Sequence, residues 1–144
     1  MATIQDVWTK FKSELQERMS TGYVRTWKFN RLKAQFTESQ FPVVVAYPSS
    51  IDKEEYVAMP KQKIVNLIVT CSGKVMSTDG DALETEILKM DEYLKNALEA
   101  DLQWDSGITI VNIGQSRFNL IEDTVGETTF DFIIATNKFT AGSR

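Results

Sequence analysis

The chain has no histidine, one cysteine (Cys71) and three prolines in 144 residues. Each scarcity removes something. Without histidine, Ser-His-Asp and Cys-His catalytic arrangements are excluded within one chain. So are the HExxH zinc site and any His/Cys structural zinc site. One cysteine excludes an intramolecular disulfide, and a reducing cytoplasm is the natural compartment for folding. No apolar run approaches the roughly 18 residues of a transmembrane helix, so no membrane partner is expected. The opening residues, Met1-Ala2-Thr3-Ile4-Gln5-Asp6, lack the basic-then-apolar order of a secretory signal. No glycine-rich phosphate loop is present, because Gly107 and Gly114 are far apart and sit in strand turns. No cofactor, metal or catalytic residue is expected. The chain reads as a surface for other proteins.

What is there fits one domain of ordinary size, long enough to bury a core without disulfides. The net charge of −4 is unevenly spread. Residues 1–34 hold Lys10, Lys12, Arg18, Arg25, Lys28, Arg31 and Lys33 against Asp6, Glu14 and Glu17. The remainder is strongly acidic. The simpler account is a solvated basic face beside a solvated acidic helix. Head-to-tail association of identical copies through opposite poles is the other.

Thr3 to Met19 has helical spacing, with Val7, Phe11, Leu15 and Met19 four apart and Gly22 as a stop. Tyr23 to Asn30 alternates loosely and is a possible extra strand. Phe41 to Pro48 reads as a strand bounded by its prolines. Residues 49–62 are charged and read as a long loop, and a loop of that length in a compact domain tends to carry function. Ile64 to Ser72 is the next strand. Val65, Leu67, Val69 and Cys71 share one face, and Ile64, Asn66, Ile68 and Thr70 share the other. The second face is half apolar, so a helix or another subunit should cover it.

Asp81 to Glu99 is a helix with Leu83, Ile87, Met90, Leu94 and Leu98 as its buried stripe. Asp81 with Glu84 resembles a capping box. Burying the five side chains of that stripe contributes about 7–15 kcal/mol before ordering entropy. Strands follow at Ile108–Ile113, Arg117–Ile121 and Thr128–Thr136, and residues 140–144 read as a flexible tail. The fold class is α+β in one domain spanning residues 1–139. Its mostly antiparallel sheet is packed by two amphipathic helices in the order α-β-β-α-β-β.

Cys71 ends an apolar strand and reads as a core residue. Asp79-Gly80-Asp81 with Glu84 and Glu86 fails as a calcium loop, because its fifth, sixth and twelfth positions would be Leu83, Glu84 and Met90. Trp27 and Phe29 lie among Arg25, Lys28, Arg31 and Lys33, a pattern also met in nucleic-acid binders. A sequence pI near 4.9 argues against that partner. The stretch fits an edge strand protected by charges.

Taken in order, these elements resemble the tail-terminator (tail-completion, head–tail joining) proteins of long-tailed bacteriophages. The resemblance rests on the N-terminal helix ending near Gly22 and the strand Phe-Pro-Val-Val-Val-Ala-Tyr-Pro at 41–48. It rests also on the long connection to Ile64–Ser72, the acidic-capped helix 81–99 and the closing strand Phe130-Asp131-Phe132-Ile133-Ile134. It implies a ring homo-oligomer, a hexamer, that caps the tail tube, ends its polymerisation and presents a surface for head joining. The implied partners are other copies of the chain, the tail tube protein and the head-completion or connector protein. The implied location is the virion, after folding in the host cytoplasm. Ile64 and Ile68 are candidate subunit contacts. Ser49, Asp52, Lys53, Glu54, Glu55, Tyr56 and Met59 are candidate tube or head contacts. The alternative is a monomeric protein-binding module, such as a phage-encoded inhibitor of a host protein.

Overall fold

The computed structural model describes residues 4–19, 22–32, 35–57, 62–99, 103–104, 108–136 and 139–140. Two helices, α1 (Ile4–Arg18) and α2 (Gly80–Glu99), lie on a single sheet. The sheet runs β1 (Thr26–Lys28), β2 (Val43–Val57), β3 (Gln62–Met76), β7 (Val125–Thr136), β5 (Ile108–Ile113) and β4 (Gln103–Trp104). β6 (Arg117–Glu122) joins the same edge of β7 as β5, and β8 (Phe139–Thr140) pairs with the start of β3. Every pairing is antiparallel except β1 with β2. The α+β class, the two amphipathic helices and the extra strand within 23–30 are as the sequence predicts.

Both helices bury their apolar stripes against one face. Val7, Phe11 and Leu15 of α1 and Leu83, Ile87, Met90, Leu94 and Leu98 of α2 meet Val65, Leu67, Val69, Cys71, Phe130, Phe132 and Ile134. α1 ends as expected, with Gly22 in the left-handed region at φ 80° that glycine adopts without cost. The cap of α2 differs from the expected Asp81–Glu84 box. Asp79 is the capping residue: its carboxylate accepts the Asp81 N–H at 3.1 Å and its carbonyl accepts the Leu83 N–H at 2.8 Å. Asp81 instead sits in the first turn, where its charge meets the positive helix end.

Two glycines shape the seat of α2. A Cβ on Gly73 would meet Met90 Sδ at 2.7 Å and Leu94 Cδ1 at 2.9 Å. One on Gly126 would meet Ile87 Cγ1 at 2.8 Å. These two positions lie on neighbouring strands and open a furrow into which the helix sinks.

The expected loop at 49–62 is mostly strand, which corrects the sequence reading. β2 continues to Val57 and β3 begins at Gln62, so the two form one long hairpin. Proline predicts a strand end. Here the ladder passes Pro48 by a register shift between Pro48 and Ser50, with a second between Ile51 and Lys53. A bulge accommodates the missing N–H without ending the pairing. The expected tail is shortened as well, because Thr140 pairs with Gln62 in β8, and residues 141–144 lie outside the described residues.

Candidate interaction surfaces

The sheet face away from the helices answers what covers Asn66, Ile68 and Thr70. Neither α1 nor α2 does. Chain residues 36–41 close one end of it, where Phe36 and Phe41 pack with Val43, Val45, Tyr47, Met76 and Val125. Beyond that end the face carries a polar ladder between β3 and β7. Thr70 Oγ1 donates to Asp131 Oδ1 at 2.7 Å, Ser72 and Thr129 hydroxyls meet at 3.0 Å, and Lys74 Nζ donates to Glu127 Oε2 at 2.8 Å. Each pair is directly opposed in register. Ile68 stands opposite Ile133 in the next place along.

Of the candidate contact residues, Ser49 and Asp52 are exposed on β2, and the Ser49 hydroxyl donates to the Ile68 carbonyl at 3.1 Å. Lys53, Glu54, Glu55 and Tyr56 lie on β2, with Glu55 paired to Ile64. Met59 lies outside the described residues. The hairpin therefore brings Ile64 and Ile68 alongside the charged stretch 49–56 in one pair of strands.

The sequence reading passed over the surface that β6 makes. All six of its residues are exposed, on both faces. Phe118, Leu120 and Ile121 keep 47%, 62% and 46% of their surface open. Natural edge strands are normally blunted by charge, proline or cover, and an apolar edge points to an association surface. The signal was available as the run Arg117-Phe-Asn-Leu-Ile-Glu122, apolar at three of six places. Only the pairing of β5 and β6 along one side of β7 makes it an edge.

The basic segment 25–31 is tied into its own neighbourhood. Lys28 donates to the Asn30 carbonyl at 3.1 Å and also to the Leu32 carbonyl. The Arg31 guanidinium donates to the Pro48 carbonyl and lies 5.0 Å from the Tyr47 ring centroid. β1 is the terminal strand of the sheet, as its charges predict.

Two clefts flank this region. One, of about 1020 Å³, is bordered by Tyr23, Arg25, Phe41, Met76 and Glu86. Tyr23 donates to Glu86 at 3.5 Å. Burial, and then the Glu86 carboxylate, push its phenol up to about 12, so it stays protonated and serves as a donor. The other, of about 890 Å³, lies between Arg31, Leu32, Tyr47, Ile121 and Glu127. Among the described residues no group of three or more His, Cys, Asp or Glu could hold a metal ion.

Cys71 is a core residue, as expected. Burial alone pushes its thiol up to about 12 from 9.0. The unfolded thiol ionises near 9.0, so between that pH and about 12 the unfolded chain holds fewer protons and stability falls as pH rises. A thiol reagent at pH 8 should label Cys71 only in denaturant. Labelling of the folded chain at the denatured rate would contradict this.

α2 is pinned by one carboxylate. Asp91 Oδ1 accepts from the fully buried Thr128 at 2.8 Å and from Ser116. Asp91→Ala strands the Thr128 hydroxyl without that acceptor, a loss of about 1–3 kcal/mol, read as a lower urea midpoint.

No family model matches the sequence, and no curated protein is similar to it at a significant level. Among solved structures, the fold is similar to a chain described as "Virion of native gene transfer agent (GTA) particle". The TM-score is 0.44 at 7% identity, covering 85% of this chain and 84% of that one. A likeness at that level carries no functional argument.

Proposed function

We propose that this chain is a structural assembly protein of a phage tail or neck. It forms a hexameric ring that caps the tail tube, ends tube growth and offers the surface to which the head joins. Its partners are its own copies, the tail tube protein and the head-completion or connector protein. The observation that carries the reading is a pair of strands on opposite sides of the sheet. β1 ends the strand order on one side, and the apolar β6 lies on the other, the side that β5 and β4 also occupy. Two different edges on one subunit suit a head-to-tail interface, which closes into a ring when the rotation per subunit permits. Ile64 and Ile68 are proposed as further subunit contacts. Ser49, Asp52, Lys53, Glu54, Glu55, Tyr56 and Met59 are proposed to touch the tube or the head.

The test is electron microscopy of the protein mixed with its growing tail tubes. Ring density at one end of each tube and arrested lengths are expected. Bare ends and unchanged lengths would sink the tail reading.

A further inference from the structure

The two open edges lie on a single row of the sheet. Reading across partners, the row is Trp27 in β1, Val44 in β2, Gly73 in β3, Thr128 in β7 and Phe118 in β6. The row crosses five strands from β1 to β6, and among the described residues neither end strand pairs with a further strand at that row. Directions also agree. β1 is parallel to β2 and each later neighbour is antiparallel, so β6 runs opposite to β1. A second copy set beside the first in the same orientation presents β1 antiparallel to β6, the geometry of an ordinary ladder.

Side chains select the register. Trp27 shares the helix-bearing face with its partner Val44, as Phe118 and Leu120 do with Thr128 and Gly126. Setting Phe118 opposite Trp27 would place Arg117 against Lys28, a directly opposed like-charge pair. A two-residue shift keeps the faces of Phe118 and Leu120. It sets Leu120 against Trp27 as an aliphatic–aromatic pair and Phe118 against Phe29, and it moves Arg117 from Lys28 to Asn30. The flanks are complementary too. Exposed Asp81, Glu84, Glu92 and Asp123 lie on α2 and the β6–β7 turn, whereas Arg25 and Arg31 flank β1.

We propose that β6 of one copy adds antiparallel to β1 of the next, with Leu120 on Trp27 and Phe118 on Phe29, so that one sheet continues from subunit to subunit. The occupant is a second copy because one chain carries both complementary edges. The inference rests on the ring reading above and names its contact.

The test is mass in solution by light scattering for the wild type, Leu120→Asp, Phe118→Asp and, as an exposed control on α2, Leu88→Asp. Circular dichroism melts serve as the control for folding. The wild type should be a multiple of the 16.4 kDa chain. Leu120→Asp and Phe118→Asp should each fall to one chain, and Leu88→Asp should keep the wild-type mass. Phe118→Asp carries the test if Leu120→Asp does not fold. Wild-type mass in both Leu120→Asp and Phe118→Asp would overturn the edge pairing. Should Ile68→Lys alone dissociate the oligomer, the sheet face makes the contact: the edge inference falls and the ring reading stands. A monomeric wild type at every concentration also overturns the edge pairing, while tube-end micrographs still judge the tail reading separately.

Discussion

Phe132→Ala should lower stability by about 3–5 kcal/mol, the range for deleting a buried phenylalanine. Phe132 is fully buried, and its ring centroid lies 5.6 Å from Phe11 of α1 and 6.2 Å from Phe130 beside it. It links the first helix to the centre of the sheet. In a domain of this size each kcal/mol moves the midpoint by about 2–4 °C, so a fall of about 6–20 °C is expected. Calorimetry measures it. A shift below a few degrees would mean that α1 repacks freely over the sheet.

Gly73→Val should cost about 3 kcal/mol, the upper part of the usual overpacking range. A Cβ there meets the sulfur of Met90 and a methyl of Leu94, both fully buried in the middle of α2. Neither side chain has open space to enter, so the helix itself must lift. Gly80→Ala is the matched control, since a Cβ at Gly80 has nothing within 4 Å. That change should be neutral or stabilising by about 0.4–1 kcal/mol. Urea midpoints of the two variants distinguish a furrow from a general intolerance of glycine replacement. Equal destabilisation by both would contradict the furrow.

Legibility in the sequence follows the range of the interactions. The α2 stripe could be read because helix period and burial coincide over 20 residues. Its cap was misplaced by two residues because acids at 79 and 81 are both plausible caps, and only the N–H directions separate them. The length of β2 was hidden by Pro48 and by the charges at 52–55. A strand whose outer edge is largely free of β1 tolerates both. Strand alternation is strictly local and sets Ile68 on the face opposite Val65, Leu67 and Val69, whereas what covers that face depends on distant elements. The Asp91–Thr128 bond and the Gly73–Gly126 furrow join positions dozens of residues apart, and no local pattern announces either. The same holds for the β6 edge. Its apolar residues were visible, but their exposure depends on β5 and β6 sharing one side of β7.

Native mass spectrometry of the wild-type chain tests self-association most directly by counting subunits. The prediction is one dominant closed species of six chains, each of 16.4 kDa, unchanged on dilution through the micromolar range. A spectrum holding only the single chain at every concentration would contradict it.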